Sequence, residues 1–503
     1  MSILCIRALA FRFSASAAVF LAGLAPTCVH AQQGSADPDS IVVLQEIKVQ
    51  TMRQTQAYMY VKELSDAIGP RLTGSAQASK ACQWAMQKMK RSGLQNVHLE
   101  PFPIGRGWER GHAHAELSLP FRLGLNVASY GWVGSTMPGG TEADVVAVNS
   151  DFIPDEIKQH AATWNGKVLF LVPLGPKHVN PIRSYSQMGP LLAAAAKAHA
   201  VAVISSTGRP GEMLNHTGPA AFADSSFSIP VVDIAPNHQQ LLARLLASRA
   251  RVRMKIDVQN SFVPGPILAN NVVGEIPGSE HPSEIVILGA HLDSWDLGTG
   301  SIDDGFGVAA VLGAADAILA QHIRPRRTVR IVLFTGEEQG LLGSLAYVRA
   351  HRAELKNILG AFVLDWGSGP ISKLPLAGHT DLEPAFSHFA QLAADVATIQ
   401  VDHSYLVFSD AYAFTLAGIP GITPFQESPN YVQVGHSGED LLDKVDKKNL
   451  IEDTAVLAAV GFWLANYPSR LGVQWSHSQT VKALTRDNQK AVLELFGLWN
   501  LIR

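Results

Sequence analysis

The sequence has few cysteines, no long run of one charge and no apolar run long enough to span a bilayer comfortably. Only 3 of its 503 residues are cysteine, and 40 basic residues nearly balance 43 acidic ones. Without a basic patch the chain lacks the electrostatic footprint of a nucleic-acid-binding protein. Hydrophobic residues make up 47% and charged residues 17%, which is typical of a globular protein and excludes a disordered or fibrous one.

The N-terminus has the pattern of a cleaved export signal. Arg7 and Arg12 give a positive start, residues 13–24 form a short apolar run, and small residues lead to a cleavage site after Ala31. The run is short for a retained membrane anchor. The residues before Cys28 match a lipidation site poorly. We therefore predict that residues 1–31 are removed and that the mature protein is periplasmic or secreted, with no retained membrane span.

Signal cleavage would leave Cys82 as the one remaining cysteine. A single cysteine cannot form an internal disulfide. Cys82 falls on one helical stripe with Ala85, Met86 and Met89, so the pattern predicts a small buried hydrophobic residue rather than a nucleophile.

The length of the chain predicts two domains or more. Residues 124–258 read as a compact α/β module without an acid–base or metal constellation. From 269 onward, strands and helices alternate as in a sheet covered by helices on both faces. The predicted segments are 1–31, 32–123, 124–258, 259–468 and 469–503.

The last segment predicts a docked helix. Between 487 and 503, apolar residues recur on one helical stripe. Such a stripe more often packs on its own domain than on a partner. Its members are Val492, Leu495, Phe496, Trp499 and Ile502.

Polar residues follow three consecutive predicted strands at 285–288, 328–334 and 360–364. In open α/β sheets, ligands bind beyond the carboxyl ends of the strands. A further histidine lies in the later motif GHSGED. The candidate residues are His291, Asp293, Asp303, Glu337, Glu338, Asp365 and His436.

Each of these residues alone is a weak signal, because a histidine after a strand or an Asp-Asp-Gly turn is common. Together they gain weight. The acids adjoin apolar strands, where unpaired charge is expensive to bury. Two imidazoles with several carboxylates and no cysteine suit zinc in a hydrolytic site rather than a structural zinc site.

The order and spacing of these residues resemble the co-catalytic zinc aminopeptidase family. The motifs HLDSWD, DDG and EEQG, with IGPRLTGS near the start, are most similar to its plasma glutamate carboxypeptidase (carboxypeptidase Q) branch. The similarity covers about residues 45 to 465, and 124–258 resemble an inserted protease-associated domain. The resemblance implies an α/β zinc-peptidase domain with a mixed central sheet covered by helices on both faces.

Two zinc ions per chain are implied by the same resemblance. His291 and Asp365 would hold one ion. Glu338 and His436 would hold the other, and Asp303 would bridge both.

The resemblance also assigns the residues around the metals. Asp293 matches the acid that fixes the tautomer of His291, and Glu337 matches the general base. The Asp303–Asp304 peptide bond is expected to be cis. Two zinc ions about 4 Å apart would share a hydroxide. Glu337 would pass the proton of the attacking water to the leaving amine.

Two positions depart from the family pattern. Trp366 stands where bacterial relatives often have asparagine, and Gly435 stands where some aminopeptidases have a tyrosine that aids the oxyanion. Tyr431 and Tyr412 are both candidates to replace that tyrosine. Residues 409–412 and 418–420 resemble a loop that lines the family's substrate pocket.

The function prediction is an exported dinuclear zinc exopeptidase for dipeptides or short peptides with free termini. An aminopeptidase acting on longer peptides is the alternative. A non-enzymatic binding protein on the same fold is disfavoured because every ligand is present, and a single-zinc cyclase because the Glu-Glu pair is complete. The sequence leaves a homodimer open.

Overall fold

The computed structural model describes residues 38–172, 181–206, 214, 217–218, 227–427 and 431–502. The predicted signal peptide, with its cleavage site and Cys28, lies outside these residues. Within the described part of the chain, no helix combines the length and the apolar character needed to cross a membrane.

Helices and strands alternate through most of the chain. The helices are α1 Pro38–Gln54, α2 Ala57–Glu63, α3 Ala76–Ser92, α4 Ile153–His160, α5 Pro181–Lys197, α6 Pro236–Ala247, α7 Phe306–Leu319, α8 Leu342–Ala350, α9 Glu383–Leu392, α10 Ala411–Leu416, α11 Tyr431–Val434, α12 Lys447–Asn466, α13 His477–Arg486 and α14 Lys490–Leu495. The first strands are β1 Gln95–Ile104, β2 Gly107–Glu109, β3 Ala113–Leu119, β4 Leu123–Leu125, β5 Val127–Ser129, β6 Thr141–Asn149, β7 Val168–Val172, β8 Ala202–Ser205, β9 Val231–Ile234 and β10 Arg253–Val258. The later strands are β11 Ser261–Val263, β12 Ile267–Ile276, β13 His281–His291, β14 Arg327–Phe334, β15 Ile358–Val363, β16 Ile371–Pro375, β17 Gln400–Asp402, β18 Gly421–Ile422 and β19 Phe425–Gln426.

The first sheet is mixed. Among the described strands its order is β1-β12-β14-β13-β15-β18. β1 and β12 run antiparallel to their neighbours, whereas β14, β13, β15 and β18 are mutually parallel. The predicted fold class, a mixed α/β sheet, is confirmed.

Helices cover both faces of this sheet because successive side chains of a strand point to opposite faces. On β13, Val286 and Leu288 pack in a core that includes α7 and α12. The intervening Ile285 and Ile287 pack in a second core with residues of α8 and α10. Burial on both faces explains why this strand is a continuous apolar run.

Helix α3 is capped at both ends by its own sequence. The Ser75 hydroxyl accepts a hydrogen bond from the Ala78 amide at 3.1 Å, and Gly93 ends the helix in the left-handed conformation with φ 97°. Cys82 lies on its inner face with 3% exposure. Burial raises the pKa of its thiol to about 12. The predicted role as a buried hydrophobic residue is confirmed.

The second sheet lies between Ala113 and Val258. Among the described strands its order is β4-β3-β10-β6-β7-β8-β9-β5. β6, β7, β8 and β9 are parallel and form its centre. Apolar clusters fill both of its faces. The sheet begins with β3, before residue 124 at which the insert was predicted to start, because β3 pairs with β10 along most of its length.

The C-terminal segment differs from the predicted single helix. Helix α14 ends at Leu495, and Gly497 adopts φ 69°, so the chain turns before a short helical turn at Trp499–Leu501. Leu495 is therefore 42% exposed, whereas Leu493 and Leu498 are buried. Gly497 interrupts the helix, but four of the five stripe residues pack on their own domain as predicted, and only Leu495 does not; the four are Val492, Phe496, Trp499 and Ile502. The segment packs against Leu341, Tyr412 and Leu416 of the same chain.

A half-buried ionic network beside β1 makes stability depend on pH. His351 lies 2.9 Å from a carboxylate oxygen of Glu100 and 2.9 Å from one of Glu354. Burial alone would lower the pKa of His351, but these hydrogen bonds raise it to about 9. A folded-state pKa above the unfolded value of ~6.5 stabilises the protein fully below pH ~6.5. That stabilisation is lost as the pH rises through about 9.

We therefore expect His351→Gln to be less stable than the parent at pH 6 and nearly equal to it at high pH. Urea unfolding at pH 6 and pH 9.5 measures the difference. The exposed His388 on α9 lies outside this network, so His388→Gln is the control for replacing a histidine. An unchanged deficit of His351→Gln at pH 9.5 would contradict the role of this ion pair.

Candidate metal centre

Three parallel strands bring the predicted site residues to one edge of the first sheet. β13 ends at His291, β14 ends just before the Glu337–Glu338 turn, and β15 ends just before Asp365. Parallel strands point their carboxyl ends to the same edge. β14, β13 and β15 are adjacent in the sheet, so residues from three distant parts of the sequence meet there.

The first group of potential metal ligands contains His291, Asp303 and Asp365. The Nε2 atom of His291 lies 3.0 Å from Oδ1 of Asp303 and 3.4 Å from Oδ1 of Asp365. All three side chains are at most 6% exposed. The nitrogen and the two carboxylate oxygens therefore point at a common position.

Asp303, Glu338 and His436 form the second group. The Nε2 atom of His436 lies 2.9 Å from Oδ2 of Asp303 and 3.1 Å from Oε2 of Glu338. Asp303 thus offers one oxygen to each group. Its peptide bond to Asp304 is cis, as expected. The ligand atoms of each group lie within 4.8 Å of one another.

Asp293 orients the His291 ring through its backbone as well as its carboxylate. Nδ1 of His291 is 3.1 Å from the Asp293 carbonyl oxygen and 3.6 Å from its Oδ1. With Nδ1 donating to Asp293, Nε2 presents its lone pair to Asp303 and Asp365. The hydroxyl of Thr73 donates to the other Asp293 oxygen at 2.6 Å.

Glu337 lies beside the two groups without belonging to either. Its backbone amide is 3.4 Å from Oδ1 of Asp293. Burial, reinforced by the negative charge of Asp365, raises the pKa of its carboxyl group well above the usual range. The Glu337–Glu338 pair therefore presents one carboxylate within a ligand group and a second one next to it.

Two charged residues that support the loop from 291 to 303 were not assigned from the sequence. The buried Arg71 guanidinium donates to the carbonyl oxygens of Leu292 at 2.7 Å and Gly300 at 2.8 Å. The Asp440 carboxylate accepts the amides of Ile302 at 2.7 Å and Asp303 at 3.1 Å. Arg71 lies in the motif IGPRLTGS and Asp440 in the motif GHSGED. These motifs indicated that the two segments belong to the site, but they did not indicate the roles of the two residues.

The structure separates the two tyrosines considered for the oxyanion. The Tyr431 hydroxyl donates to Oδ2 of Asp303 at 2.9 Å. Tyr412 is buried in the apolar cluster of the C-terminal segment. A Cβ atom at Gly435 would lie 3.2 Å from the Tyr431 ring, so the glycine leaves room for that ring. Trp366 stacks on the other side of Tyr431, with centroids 5.9 Å apart.

The charges and unpaired oxygens of the site suit divalent cations. Burial alone would lower the pKa of His436, but Glu338 and Asp303 raise it to about 10, which reflects a strongly negative environment. Among the described residues, Oδ2 of Asp365 and Oε1 of Glu338 are buried without a hydrogen-bond partner. Buried, unpaired carboxylate oxygens are expensive unless a cation compensates them. Imidazole and carboxylate donors without thiolate are what hydrolytic zinc sites use.

Comparison with known proteins agrees with this geometry. The profile of Peptidase family M28 matches residues 271–460. Carboxypeptidase Q of Pongo abelii is 30% identical over 419 residues, which cover 83% of this chain and 87% of that protein. The chain belongs to peptidase family M28.

Other members of the family support the assignment at the level of sequence and fold. Human carboxypeptidase Q is 29% identical over 419 residues and is covered to 87%. The crystal structure of a Peptidase M28 precursor from Shewanella amazonensis superposes with a TM-score of 0.76 at 28% identity, covering 86% of this chain and 98% of that one. A zinc aminopeptidase from Bacillus subtilis shares the fold with a TM-score of 0.61 at 22% identity, over 80% of this chain and 94% of its own.

Membership of M28 confirms the predicted family and enzyme class. The protein is a zinc metallopeptidase. The disfavoured alternative, a non-enzymatic binding protein on the same fold, explains no residue of the site better than the enzyme does.

Proposed function

We propose that this M28 peptidase is an exported dinuclear zinc exopeptidase that hydrolyses dipeptides or short peptides with free termini. In this proposal His291 and Asp365 hold one zinc ion, Glu338 and His436 hold the other, and Asp303 bridges them. Export rests on the N-terminal sequence pattern.

The observation that carries the proposal is the position of Asp303 between two ligand groups. Its two oxygens lie 3.0 Å from His291 Nε2 and 2.9 Å from His436 Nε2. One carboxylate that faces two imidazoles on opposite sides is the arrangement that a bridging ligand requires. A site for a single ion would not need the second imidazole and Glu338.

Access to the centre is uneven. The side chains of His291, Asp303 and Glu338 are at most 3% exposed, whereas that of His436 is 33% exposed. A peptide would therefore approach from the side of His436. A terminal residue reaches such a buried centre more readily than the middle of a long chain does.

The residues of the chain would divide the chemistry between them. When bound, the zinc ions supply Lewis-acid polarisation of the scissile carbonyl and lower the pKa of a water molecule. Glu337 accepts the proton of the attacking water and donates it to the amine that leaves. Asp293 keeps His291 in the tautomer whose Nε2 faces the metal position.

Tyr431 is the proposed donor to the oxyanion. Its hydroxyl already lies at the centre, 2.9 Å from Oδ2 of Asp303. A donor placed where negative charge develops stabilises the transition state more than the ground state. Tyr431 would thus supply the hydroxyl that some aminopeptidases have at the position of Gly435, which has no side chain.

The experiment that tests the substrate class compares three forms of one dipeptide: free, N-acylated and C-amidated. We expect the purified enzyme to hydrolyse the free form and to lose at least ~10-fold in kcat/KM on each blocked form, because losing a hydrogen bond to a charged terminus costs about 1.5–3 kcal/mol and ~1.4 kcal/mol is a tenfold change. Hydrolysis of the amidated form at the same rate, with loss only on the acylated form, would instead support an aminopeptidase on longer peptides. Protein carrying Glu337→Gln controls for contaminating peptidases.

A further inference from the structure

The middle of the loop from 291 to 303 contacts residues that lie next to β2 and β5. Arg110, which follows β2, donates from Nε and Nη2 to Oδ1 of Asp296 at 2.9 and 2.6 Å. Their side chains are 10% and 14% exposed. The Arg110 guanidinium also donates to the carbonyl oxygen of Ser129, the last residue of β5. The ion pair therefore joins the loop to a strand of the second sheet.

An aromatic contact lies beside the ion pair. Trp132, just after β5, packs edge-on against Trp295 of the loop with centroids 6.1 Å apart. Trp108 stacks on the other side of Trp132 at 5.9 Å, and the Arg110 guanidinium lies 5.0 Å from the centroid of the Trp108 ring. We call Trp108, Trp132 and Trp295 the tryptophan cluster.

Gly131, in the turn after β5, fits the cluster closely. A Cβ atom at Gly131 would lie 2.5 Å from the ring of Trp295, closer than atoms can approach. The backbone before Trp132 is therefore in direct contact with the loop, and any side chain at 131 would displace Trp295.

The loop carries His291 at its start and Asp303 at its end. Arg71 and Asp440 hold the backbone near these two ends, as described above. Asp296 and Trp295 lie between them and are held by residues 110, 131 and 132. A ligand pair is positioned accurately only when the segment between the ligands is also fixed.

We propose that the Arg110–Asp296 pair and the tryptophan cluster are positioning elements through which the segments around β2 and after β5 keep His291 and Asp303 in place for metal binding. This inference rests on the proposed zinc ligands. It gives these segments a role in the metal centre although none of their residues would touch a metal ion. Fixing the loop before the metal arrives lowers the entropy lost on binding.

Two single variants distinguish positioning from simple charge. Asp296→Asn removes a negative charge and Arg110→Met removes a positive one, so a purely electrostatic effect would change zinc affinity in opposite directions. Positioning predicts a loss in both. We expect each to lower zinc affinity by ~10-fold, the lower end of the range for residues that support metal ligands. Competition with a chelator of known affinity measures it.

The double variant and the glycine pair test the same idea independently. Because the two residues act as one unit, Arg110→Met/Asp296→Asn should bind zinc no more weakly than either single variant. Gly131→Ala should lower zinc affinity by displacing Trp295. Gly124→Ala, in β4, is its control, since a Cβ atom there meets nothing within 4 Å.

A control for general destabilisation lies on the same strand as His291. Glu284, near the start of β13, pairs with Arg327 at 2.6 Å, with side chains 21% and 3% exposed. Glu284→Gln should lower the urea midpoint of the zinc-free protein and leave zinc affinity unchanged. The Asp296 and Arg110 variants should instead change zinc affinity more than their own urea midpoints explain.

The outcomes separate this inference from the proposed function. Unchanged zinc affinity in Asp296→Asn and Gly131→Ala, with a parent that binds two zinc ions, would overturn the positioning role alone. Opposite shifts in the two ion-pair variants would also overturn it. A parent that binds no zinc would overturn both. Asp296→Asn conserves the shape of the side chain. It therefore tests the positioning role even if Arg110→Met yields little folded protein.

Discussion

Glu337→Gln should lose turnover by ~10² to 10⁴, the usual effect of removing a general base, while it keeps its zinc and its fold. Glutamine conserves the shape of the side chain but cannot accept the proton of the attacking water. Because Glu337 lies outside both ligand groups, its replacement leaves every proposed metal contact in place. Substrate affinity should change little.

Glu338→Gln is the matched comparison because it makes the same chemical change one residue later. Glu338 belongs to the second ligand group, and its Oε2 lies 3.1 Å from His436 Nε2. This variant should lose or weaken one zinc ion. Metal content measured beside kcat for both variants decides the assignment. An active Glu337→Gln enzyme, or one that sheds zinc while Glu338→Gln retains it, would show that the two roles are reversed or wrong.

Asp303→Ala should be the most damaging replacement of a ligand. It removes one oxygen from each ligand group and also leaves His291 and His436 without the carboxylate between them. We expect zinc content to fall from about two ions per chain to less than one, and hydrolysis to become undetectable. Elemental analysis after dialysis against zinc-replete buffer measures the zinc content, and a dipeptide assay measures hydrolysis.

Tyr431→Phe provides the control for this variant. It removes only the hydroxyl that donates to Asp303, so both zinc ions should remain. Its kcat should fall by ~10², as when one oxyanion donor is lost. Full zinc content in Asp303→Ala would rule out a bridging role for Asp303. Loss of zinc in Tyr431→Phe would instead make Tyr431 part of the metal site.

The edge of the first sheet was predictable because its strands are unambiguous. Apolar runs at 285–288 and 328–334 are too short and too continuous for surface helices, and each is followed at once by acids or histidine. The structure brings His291, Asp365 and the Glu-Glu turn together because β13, β14 and β15 are parallel neighbours. Local pattern and general sheet topology were sufficient there.

Side chains that approach the site from distant segments were harder to predict. Neither residue spacing nor family resemblance could choose between Tyr431 and Tyr412, since both lie on short helices well after β15 in the chain. The choice depends on packing: Tyr412 points into an apolar cluster with Leu484 and Leu493, and Tyr431 faces Asp303. Contacts between elements that are far apart in sequence decide such orientations.

The extent of the second sheet and the bend in the C-terminal segment depend on contacts that local pattern does not show. β3 has ordinary alternation, and only its pairing with β10, more than a hundred residues later in the chain, assigns it to the second sheet. Gly497 is tolerated inside a helical pattern by sequence criteria, yet its positive φ ends the helix. Both outcomes are set by tertiary contacts that override local pattern.

Tyr431 and Gly435 are linked by steric exclusion. Any residue at 435 that has a side chain would place its Cβ atom 2.9 Å from the Tyr431 carbonyl oxygen and 3.2 Å from its ring. A side chain at 435 would therefore push Tyr431 away unless the backbone at 435 moved instead. The position of the Tyr431 hydroxyl at Asp303 thus depends on the absence of a side chain four residues later in the chain.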